Sequence, residues 1–224
     1  MNSQMQMTLK SLADNEFDVK LAEDSGNAKK MILEMMPKNG VVGVGGSATI
    51  RQITIVDELI RRGLKVLSTS GLPEDERNKV RKAALLSDVF LTSTNAVTLD
   101  GRLVNTDGIG GRVAAMIFGP GKVLFVIGKN KIVENLDEAF HRIKNLIAPY
   151  HARSRGYEAP CAVSGRCTEC RAPGRVCRIT TILEKRPRMT DTTIVMVDED
   201  LGLSWDESWP AERIKAIKSK YDHC

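Results

Sequence analysis

Short runs of β-branched and other apolar residues alternate with longer stretches of helical periodicity through the first 148 residues of this chain. That alternation is typical of strand–helix–strand units, which form mostly parallel sheets with helices on both faces. The short runs, together with one near the end of the chain, predict strands near residues 17–22, 40–44, 64–68, 88–92, 122–127 and 192–198. The longer stretches predict helices near residues 25–36, 48–62, 74–86, 109–117 and 134–147. We therefore expect a layered α/β domain.

Two local predictions depend on particular residues. Ser47 can cap the second predicted helix and Gly63 can end it, because a serine hydroxyl accepts from a first-turn N–H and glycine adopts the left-handed conformation. Further along, Asp100 and Gly101 separate two short apolar runs. Asp-Gly supplies the positive φ angles of a type I′ turn, so this segment is expected to form a β-hairpin.

The periodicity is lost between residues 149 and 190, where prolines and glycines recur. Irregular stretches of that length are uncommon in compact domains unless something else orders them. We therefore divide the chain into an α/β domain, residues 1–148 and 191–224, and an inserted cysteine-rich basic segment, residues 149–190. A further helix is expected after Pro210, and Cys224 ends the chain.

The inserted segment holds four of the five cysteines, spaced Cys-x5-Cys-x2-Cys-x6-Cys. Between residues 151 and 190, nine lysines and arginines stand against three acidic residues, a balance of +6. Four thiolates on zinc or on an oxidised four-iron cluster leave a charge of about −2, which adjacent arginines would offset. One Cys-x2-Cys flanked by wider spacings favours an iron–sulfur cluster over zinc, although the thiols could instead form disulfides, act in redox chemistry or bind no metal. The expected metal ligands are Cys161, Cys167, Cys170 and Cys177.

Composition argues against several classes of protein. The longest apolar run, residues 123–127, is far shorter than the roughly 20 residues that a membrane-spanning helix needs. The first ten residues lack the basic-then-apolar pattern of a secretory signal, so we expect a cytoplasmic protein with reduced thiols. The net charge is +5, but residues 151–190 contain a single aromatic residue, so nucleic-acid binding is not favoured.

A glycine-rich turn, G-V-G-G-S at residues 43–47, follows the second predicted strand. A strand, a turn and a helix start in that order place backbone N–H groups where they can bind an anion. The acidic residue that would hold a ribose after the next strand is missing, so NAD is disfavoured. The alternative is a tight turn whose serine only caps the helix. The residues expected to bind an anionic small molecule here are Gly43, Gly45, Gly46 and Ser47.

A second polar loop follows the predicted hairpin. Two consecutive glycines expose backbone donors there, and Arg112 adds a guanidinium suited to phosphate or carboxylate. Asp107 can orient Arg112 or act as a base; the alternative is a turn or helix-capping residue. Loops that follow parallel strands meet at one sheet edge, which predicts a ligand crevice. Its second wall is expected to comprise Asn95, Asp107, Gly110, Gly111 and Arg112.

The run TNAVTLDGRLVNTDGIGGRVAAM at residues 94–116, with the turn at 43–47, resembles the LUD domain, the family of lactate utilisation protein C. The resemblance spans about residues 5–202. It implies a Rossmann-like sheet of the sugar-phosphate isomerase and coenzyme A transferase group, with residues 43–47 on the phosphate-side loop and Asn95 and Arg112 on the facing loop. It also implies a bacterial role in the oxidation of L-lactate to pyruvate, where partner subunits carry iron–sulfur clusters. The four-cysteine segment would place the chain in a subgroup, and the glutamate nucleophile of the transferases has no equivalent here.

Three functions are compatible with these features. The first is a cytosolic accessory of lactate or related organic-acid oxidation, with an electron-carrying cluster beside an anion crevice and redox protein subunits as partners. The second is an enzyme or binding protein for a phosphorylated or acyl-coenzyme A ligand, with a purely structural zinc site. The third is a non-catalytic partner that docks other subunits through the basic segment. We favour the first because it accounts for the cysteines, the arginines and the family resemblance together.

Overall fold

The computed structural model describes residues 2–202 and Glu212. The helix expected after Pro210, and Cys224, lie outside the described residues. None of the helices in this part of the chain is long and apolar enough to cross a membrane.

Ten strands in the described residues form two sheets. In chain order they are β1 Asp18–Ala22, β2 Val41–Val44, β3 Lys65–Ser68, β4 Val89–Thr92, β5 Ala96–Thr98, β6 Leu103–Asp107, β7 Lys122–Gly128, β8 Ile132–Val133, β9 Ile179–Leu183 and β10 Asp191–Val197. The main sheet has the order β1-β10-β7-β4-β2-β3, and every neighbouring pair is parallel. Its six strands are the six that the sequence predicts. The parallel, Rossmann-like α/β sheet is therefore confirmed.

Helices cover both faces of the main sheet. They are α1 Ser3–Asp14, α2 Ser25–Glu34, α3 Ala48–Gln52, α4 Val56–Arg61, α5 Glu74–Ala84, α6 Gly111–Ile117, α7 Leu136–Arg142, α8 Ala148–Ser154 and α9 Pro160–Ser164. Along β7, Leu124 and Val126 enter one core with α2, α3 and α4, whereas Phe125 and Ile127 enter the other with α1, α5 and α6. Because β7 is buried on both sides, its sequence is a continuous apolar run rather than an alternating one.

The single helix predicted near residues 48–62 is wrong, because the chain forms α3 and α4 with a break between them. Thr54 has a φ of 49°, a left-handed conformation that ends α3 and that the apolar periodicity does not reveal. The predicted ends are confirmed: the Ser47 hydroxyl accepts from the Ile50 N–H at 3.4 Å, and Gly63 has a φ of 83°.

The second sheet has the order β8-β5-β6-β9. Strands β5 and β6 form the predicted antiparallel hairpin. Its turn is not type I′, because Gly101 has a φ of 82° while Asp100 is not among the described residues with positive φ. The Gly101 N–H donates to the Thr98 carbonyl and the Thr98 N–H to the Arg102 carbonyl, so the connection is a three-residue loop with one left-handed glycine.

The helix predicted near residues 134–147 continues to Ser154 through a π-helical turn, Ile143–Ile147, and α8. Pro149 has no N–H to donate to the carbonyl four residues earlier, so a wider turn accommodates it. The segment predicted as residues 149–190 thus begins inside α8, and it contains α9 and β9. Strand β9 pairs with β6. Sequence periodicity does not predict α1, α8, α9 or β9.

Candidate functional site

A cleft of about 740 Å³ opens at the carboxyl ends of β2, β3 and β4. The glycine turn, the loop after β4, the loop between β6 and α6, helix α8 and part of the cysteine segment line it. The predicted site residues that line this cleft are Gly45, Gly46, Ser47, Asn95, Asp107, Gly111 and Arg112. Gly43 lies within β2 and Gly110 is the N-cap of α6, and neither belongs to the lining.

The three glycines of the turn differ in how closely other atoms surround them. A Cβ on Gly43 would lie 2.9 Å from both Phe90 and Ser87, so this glycine lets the strand pack closely. A Cβ on Gly45 would lie 2.7 Å from the Thr92 hydroxyl oxygen. A Cβ on Gly46 would meet nothing within 4 Å, because this residue faces open space. Only the last two glycines line the cleft, and Ser47 lines it while also capping α3.

Arg112 ties the two loops of the second wall together. Its Nη1 donates to the Ser93 carbonyl at 3.2 Å and to Asn105 Oδ1 at 2.9 Å. Its Nη2 donates to Asn95 Oδ1 at 3.2 Å and to the Thr106 carbonyl at 2.9 Å, and its Nε lies 3.6 Å from Asp107 Oδ2. A guanidinium has five N–H donors: the four on Nη1 and Nη2 make hydrogen bonds within the protein, and the fifth, on Nε, faces Asp107 in the ion pair. Arg112 therefore shapes the cleft and contributes positive charge, but its donors are not free for a ligand.

Asp107 closes the turn that precedes α6 and is also the ion-pair partner of Arg112. Its Oδ1 accepts from the backbone N–H groups of Ile109 and Gly110 at 3.0 and 3.1 Å. Burial acts to raise the pKa of Asp107, but the charge of Arg112 and the backbone N–H groups outweigh it and lower that pKa below its ordinary value. The carboxylate is thus ionised at neutral pH and fully engaged, which fits the interpretation as a turn residue better than that of a general base.

Lys131 is a cleft residue that the sequence does not reveal. It follows β7 in a 3-10 turn, Lys129–Lys131, and only 5% of its surface is exposed. Its Nζ lies 2.7 Å from Thr49 Oγ1, 2.7 Å from Ser93 Oγ and 3.2 Å from the Thr94 carbonyl. Burial, and then the charges of Arg142 and Arg112, lower the pKa of Lys131 well below 10.5. Nothing in the local G-K-N-K sequence distinguishes this buried lysine from the exposed Lys129.

The mouth of the cleft carries free positive charge. Within the described part of the chain, the side chains of Arg51 on α3 and Arg155 after α8 have no hydrogen bond or ion pair, and both are exposed lining residues. His151 is partly exposed and lies close enough to both for their charges to act on it. Desolvation by the cleft walls, followed by the charges of Arg155 and Arg112, lowers the pKa of His151. The mouth is therefore strongly electropositive.

The four predicted metal ligands are free thiols that lie beside the cleft. Cys161 is buried in α9 against Ala152 and Ala159, whereas Cys167, Cys170 and Cys177 are half-buried. Burial and the nearby Cys170 and Cys177 thiols raise the pKa of Cys161. Among the described residues, no group of three or more His, Cys, Asp or Glu side chains is arranged to hold a metal ion.

Arg175 links the cysteines to the cleft. It donates to the Cys170 carbonyl at 3.0 Å and to the Cys177 carbonyl at 3.1 Å, and its Nη2 lies 3.6 Å from Cys177 Sγ. The backbone N–H of Arg178 then donates to the Asp107 carbonyl at 3.0 Å. Residues 173–176 and Arg178 line the cleft directly. The cysteine segment is thus one wall of the cleft rather than a remote appendage.

Comparison with known proteins identifies the family. The family model of the LUD domain matches residues 5–197, most of the chain. Among solved structures, the chain is similar to the crystal structure of a DUF162 family protein from Deinococcus radiodurans, with a TM-score of 0.52 and 14% sequence identity. That match covers 87% of this chain and 96% of the other, and it supports the fold alone. No curated protein matches the chain. The chain therefore belongs to the LUD domain family.

Proposed function

We propose that this LUD domain protein binds an anionic organic ligand in its cleft and acts as an accessory of lactate or related organic-acid oxidation. The observation that carries the proposal is the basic composition of the lining, which has eight lysines and arginines against two acidic residues. The basic residues are Arg51, Arg77, Arg81, Arg112, Lys131, Arg155, Arg175 and Arg178, and the acidic ones are Glu74 and Asp107.

The arrangement of these charges separates structure from binding. Arg77 and Arg81 pair with Glu74, Arg112 pairs with Asp107, and Arg175 engages the cysteine segment. Arg51 and Arg155 remain available at the mouth, and exposed guanidinium groups suit carboxylate and phosphate oxygens. The volume of the cleft accommodates a ligand larger than a single carboxylate. A carboxylate such as lactate or pyruvate and an acyl-coenzyme A or sugar phosphate are the two ligand classes to compare.

Ligand-dependent thermal unfolding tests this proposal. A ligand at about 100 times its Kd stabilises the folded state by about 2.7 kcal/mol, which in a domain of this size raises Tm by roughly 5–10 °C. We expect such a shift with lactate, pyruvate, coenzyme A or a sugar phosphate, and its loss in the double variant Arg51→Gln/Arg155→Gln.

The matched control removes two exposed charges that lie outside the cleft, Lys38→Gln/Arg61→Gln. This control should retain the shift, because charge near the ligand and not total charge carries the binding. Equal losses in both double variants, or no shift with any of these anions, would contradict the proposal.

We further propose that Cys161, Cys167, Cys170 and Cys177 hold an iron–sulfur cluster, or alternatively zinc, which would supply electron transfer or structural support beside the cleft. The donor set is four free thiols in one segment of 17 residues, with Arg175 against Cys170 and Cys177 to offset thiolate charge. Because the described side chains do not already form a metal-holding group, assembly of the site would accompany metal binding.

Anaerobically purified protein gives the test of this second proposal. A broad absorption band near 400 nm that bleaches with dithionite, with a matching electron paramagnetic resonance signal, is expected for a cluster, and stoichiometric zinc for the alternative. Protein that holds neither iron nor zinc after anaerobic reconstitution would overturn it. Charge reversal at the exposed Arg171, with the metal retained, should weaken association with redox partner subunits if this wall also docks them.

A further inference from the structure

Lys131 is a buried amine whose contacts provide no counter-charge. Its three hydrogen-bond partners are two hydroxyls and one carbonyl, from α3 and from the loop after β4. The charged side chains that act on it are Arg142 on α7 and Arg112 on α6, both positive. Buried lysines usually have an acidic partner, because an unpaired ammonium is costly to desolvate. This site is therefore built for an uncharged amine.

The hydrogen-bond network supports the same protonation state. The Ser93 hydroxyl donates to the Val126 carbonyl, so it accepts from Lys131. The Thr94 carbonyl can only accept. A neutral amine has two N–H donors for these two acceptors and one lone pair, which the Thr49 hydroxyl can satisfy as a donor. Within the described chain that hydroxyl has no other hydrogen-bond partner, so an ammonium would leave its proton without an acceptor.

The amine also has access to ligand. Lys131 lines the cleft together with Thr49 and Ser93, and α3 carries both Thr49 and the free Arg51. A neutral primary amine that is desolvated beside other cations is an activated nucleophile, and its characteristic reaction is with a carbonyl carbon. The depressed pKa of Lys131 is consistent with that state at neutral pH.

We propose that Lys131 forms an imine with an aldehyde or ketone that carries a carboxylate or a phosphate. The amine nitrogen attacks the carbonyl carbon and a C=N bond replaces the C=O bond. The carbonyl oxygen leaves as water with the two amine hydrogens, so no oxidant or reductant is required. The Thr49 hydroxyl is placed to move a proton at the nitrogen, and the charges at the mouth hold the anionic group. This inference rests on the proposed anion-binding cleft.

Reductive trapping tests it. The protein is incubated at pH 7 with pyruvate, as the carboxylate probe, or with pyridoxal 5′-phosphate, as the phosphate probe, and each adduct is fixed with cyanoborohydride. We expect the adduct at Lys131 at least ten times more often than at any other lysine. Trypsin does not cleave after a modified lysine, so the diagnostic peptide spans residues 130–142. Preference for one probe identifies which anionic group the cleft selects.

Variants make the assignment specific. Lys131→Arg keeps a long basic side chain but cannot form an imine, so trapping should disappear. Lys129→Arg is the matched control, because Lys129 lies two residues away, is exposed and pairs with Asp198 at 3.0 Å. It should leave trapping at Lys131 unchanged. The wild-type measurement does not depend on the folding of either variant.

The outcomes also separate this inference from the proposed function. A Tm shift with pyruvate or pyridoxal 5′-phosphate, but with no adduct at Lys131, overturns the imine proposal and leaves anion binding intact. Adducts spread over exposed lysines at equal frequency overturn it as well. If none of the anions produces either a Tm shift or an adduct, both proposals are overturned.

Discussion

The floor of the cleft, by which we mean Arg112, Lys131 and the groups that they contact, lies next to the cysteine segment. The two regions differ in what holds them in place. On the floor, Lys131 is buried, Arg112 is largely buried, and both are hydrogen-bonded to neighbours from several elements. In the cysteine segment, the half-buried thiols of Cys167 and Cys177 contact the nearby Glu169 N–H and the Arg175 guanidinium. The floor is thus pre-organised by the protein itself, whereas the proposed metal site in the segment would be completed only when the metal binds.

Replacing Arg112 should produce the largest loss of stability. Arg112→Gln leaves the largely buried Asp107 carboxylate without its ion pair and several backbone and amide acceptors without donors. Breaking a buried pair by removing one partner costs about 3–5 kcal/mol, which urea unfolding at pH 7 measures directly.

The control for this change is Arg102→Gln, which breaks the pair with the exposed Asp100. Exposed pairs contribute about 0–1 kcal/mol, so the free energy of unfolding should change little. If Arg112→Gln lowered the free energy of unfolding by no more than this control does, the floor would not be held in place more firmly than the cysteine segment.

Substitution within the glycine turn should give the next largest effect. Gly45→Ala places a Cβ 2.7 Å from Thr92 Oγ1 and 3.1 Å from Phe90 Cζ, and crowding of this kind in a packed region costs about 1–3 kcal/mol. Gly46→Ala is the matched control, because its Cβ meets nothing within 4 Å. Equal urea midpoints for the two variants would show that the turn is not packed against β4 as described.

These features differ in how far the sequence can predict them. The six strands of the main sheet are predictable because each is a short, bounded apolar run, and the run at 122–127 matches β7 almost residue for residue. Strand β9 is not predictable in this way, because its apolar residues lie in a stretch dominated by arginine and proline. The helix break at Thr54 is equally hidden, because a left-handed threonine leaves no compositional signal.

The site is predictable only in outline. The two loops are identifiable because loops after parallel strands converge on one edge. The sequence does not show that Arg112 uses its donors inside the protein, because its acceptors at Ser93 and Thr106 are backbone carbonyls. Nor does it indicate Lys131, whose burial results from the convergence of α3, β4 and β7 in space.

The pH dependence of stability should further sharpen the contrast between the floor of the cleft and the cysteine segment. The pKa of Lys131 is lowered on folding, so between its folded value and about 10.4 the unfolded chain binds the extra proton, and stability rises with pH. The slope reaches at most about 1.4 kcal/mol per pH unit. We expect urea unfolding of the wild type to gain stability relative to Lys131→Met as pH rises from about 8 to 10. A constant difference would indicate that the buried amine titrates as it does in the unfolded chain.

The smallest effect on global stability is expected from the cysteine segment. Cys167→Ser and Cys170→Ser alter half-buried side chains, so in metal-free protein the free energy of unfolding should change by less than about 0.5 kcal/mol. In metal-loaded protein the same variants should lose the bound metal and become more susceptible to trypsin at Arg166 and Arg171. The neighbouring exposed Thr168→Ala should retain both metal and protease resistance. A loss of several kcal/mol in metal-free Cys170→Ser would instead show that this wall is organised by its own packing, as the floor is, and the contrast between the two regions would disappear.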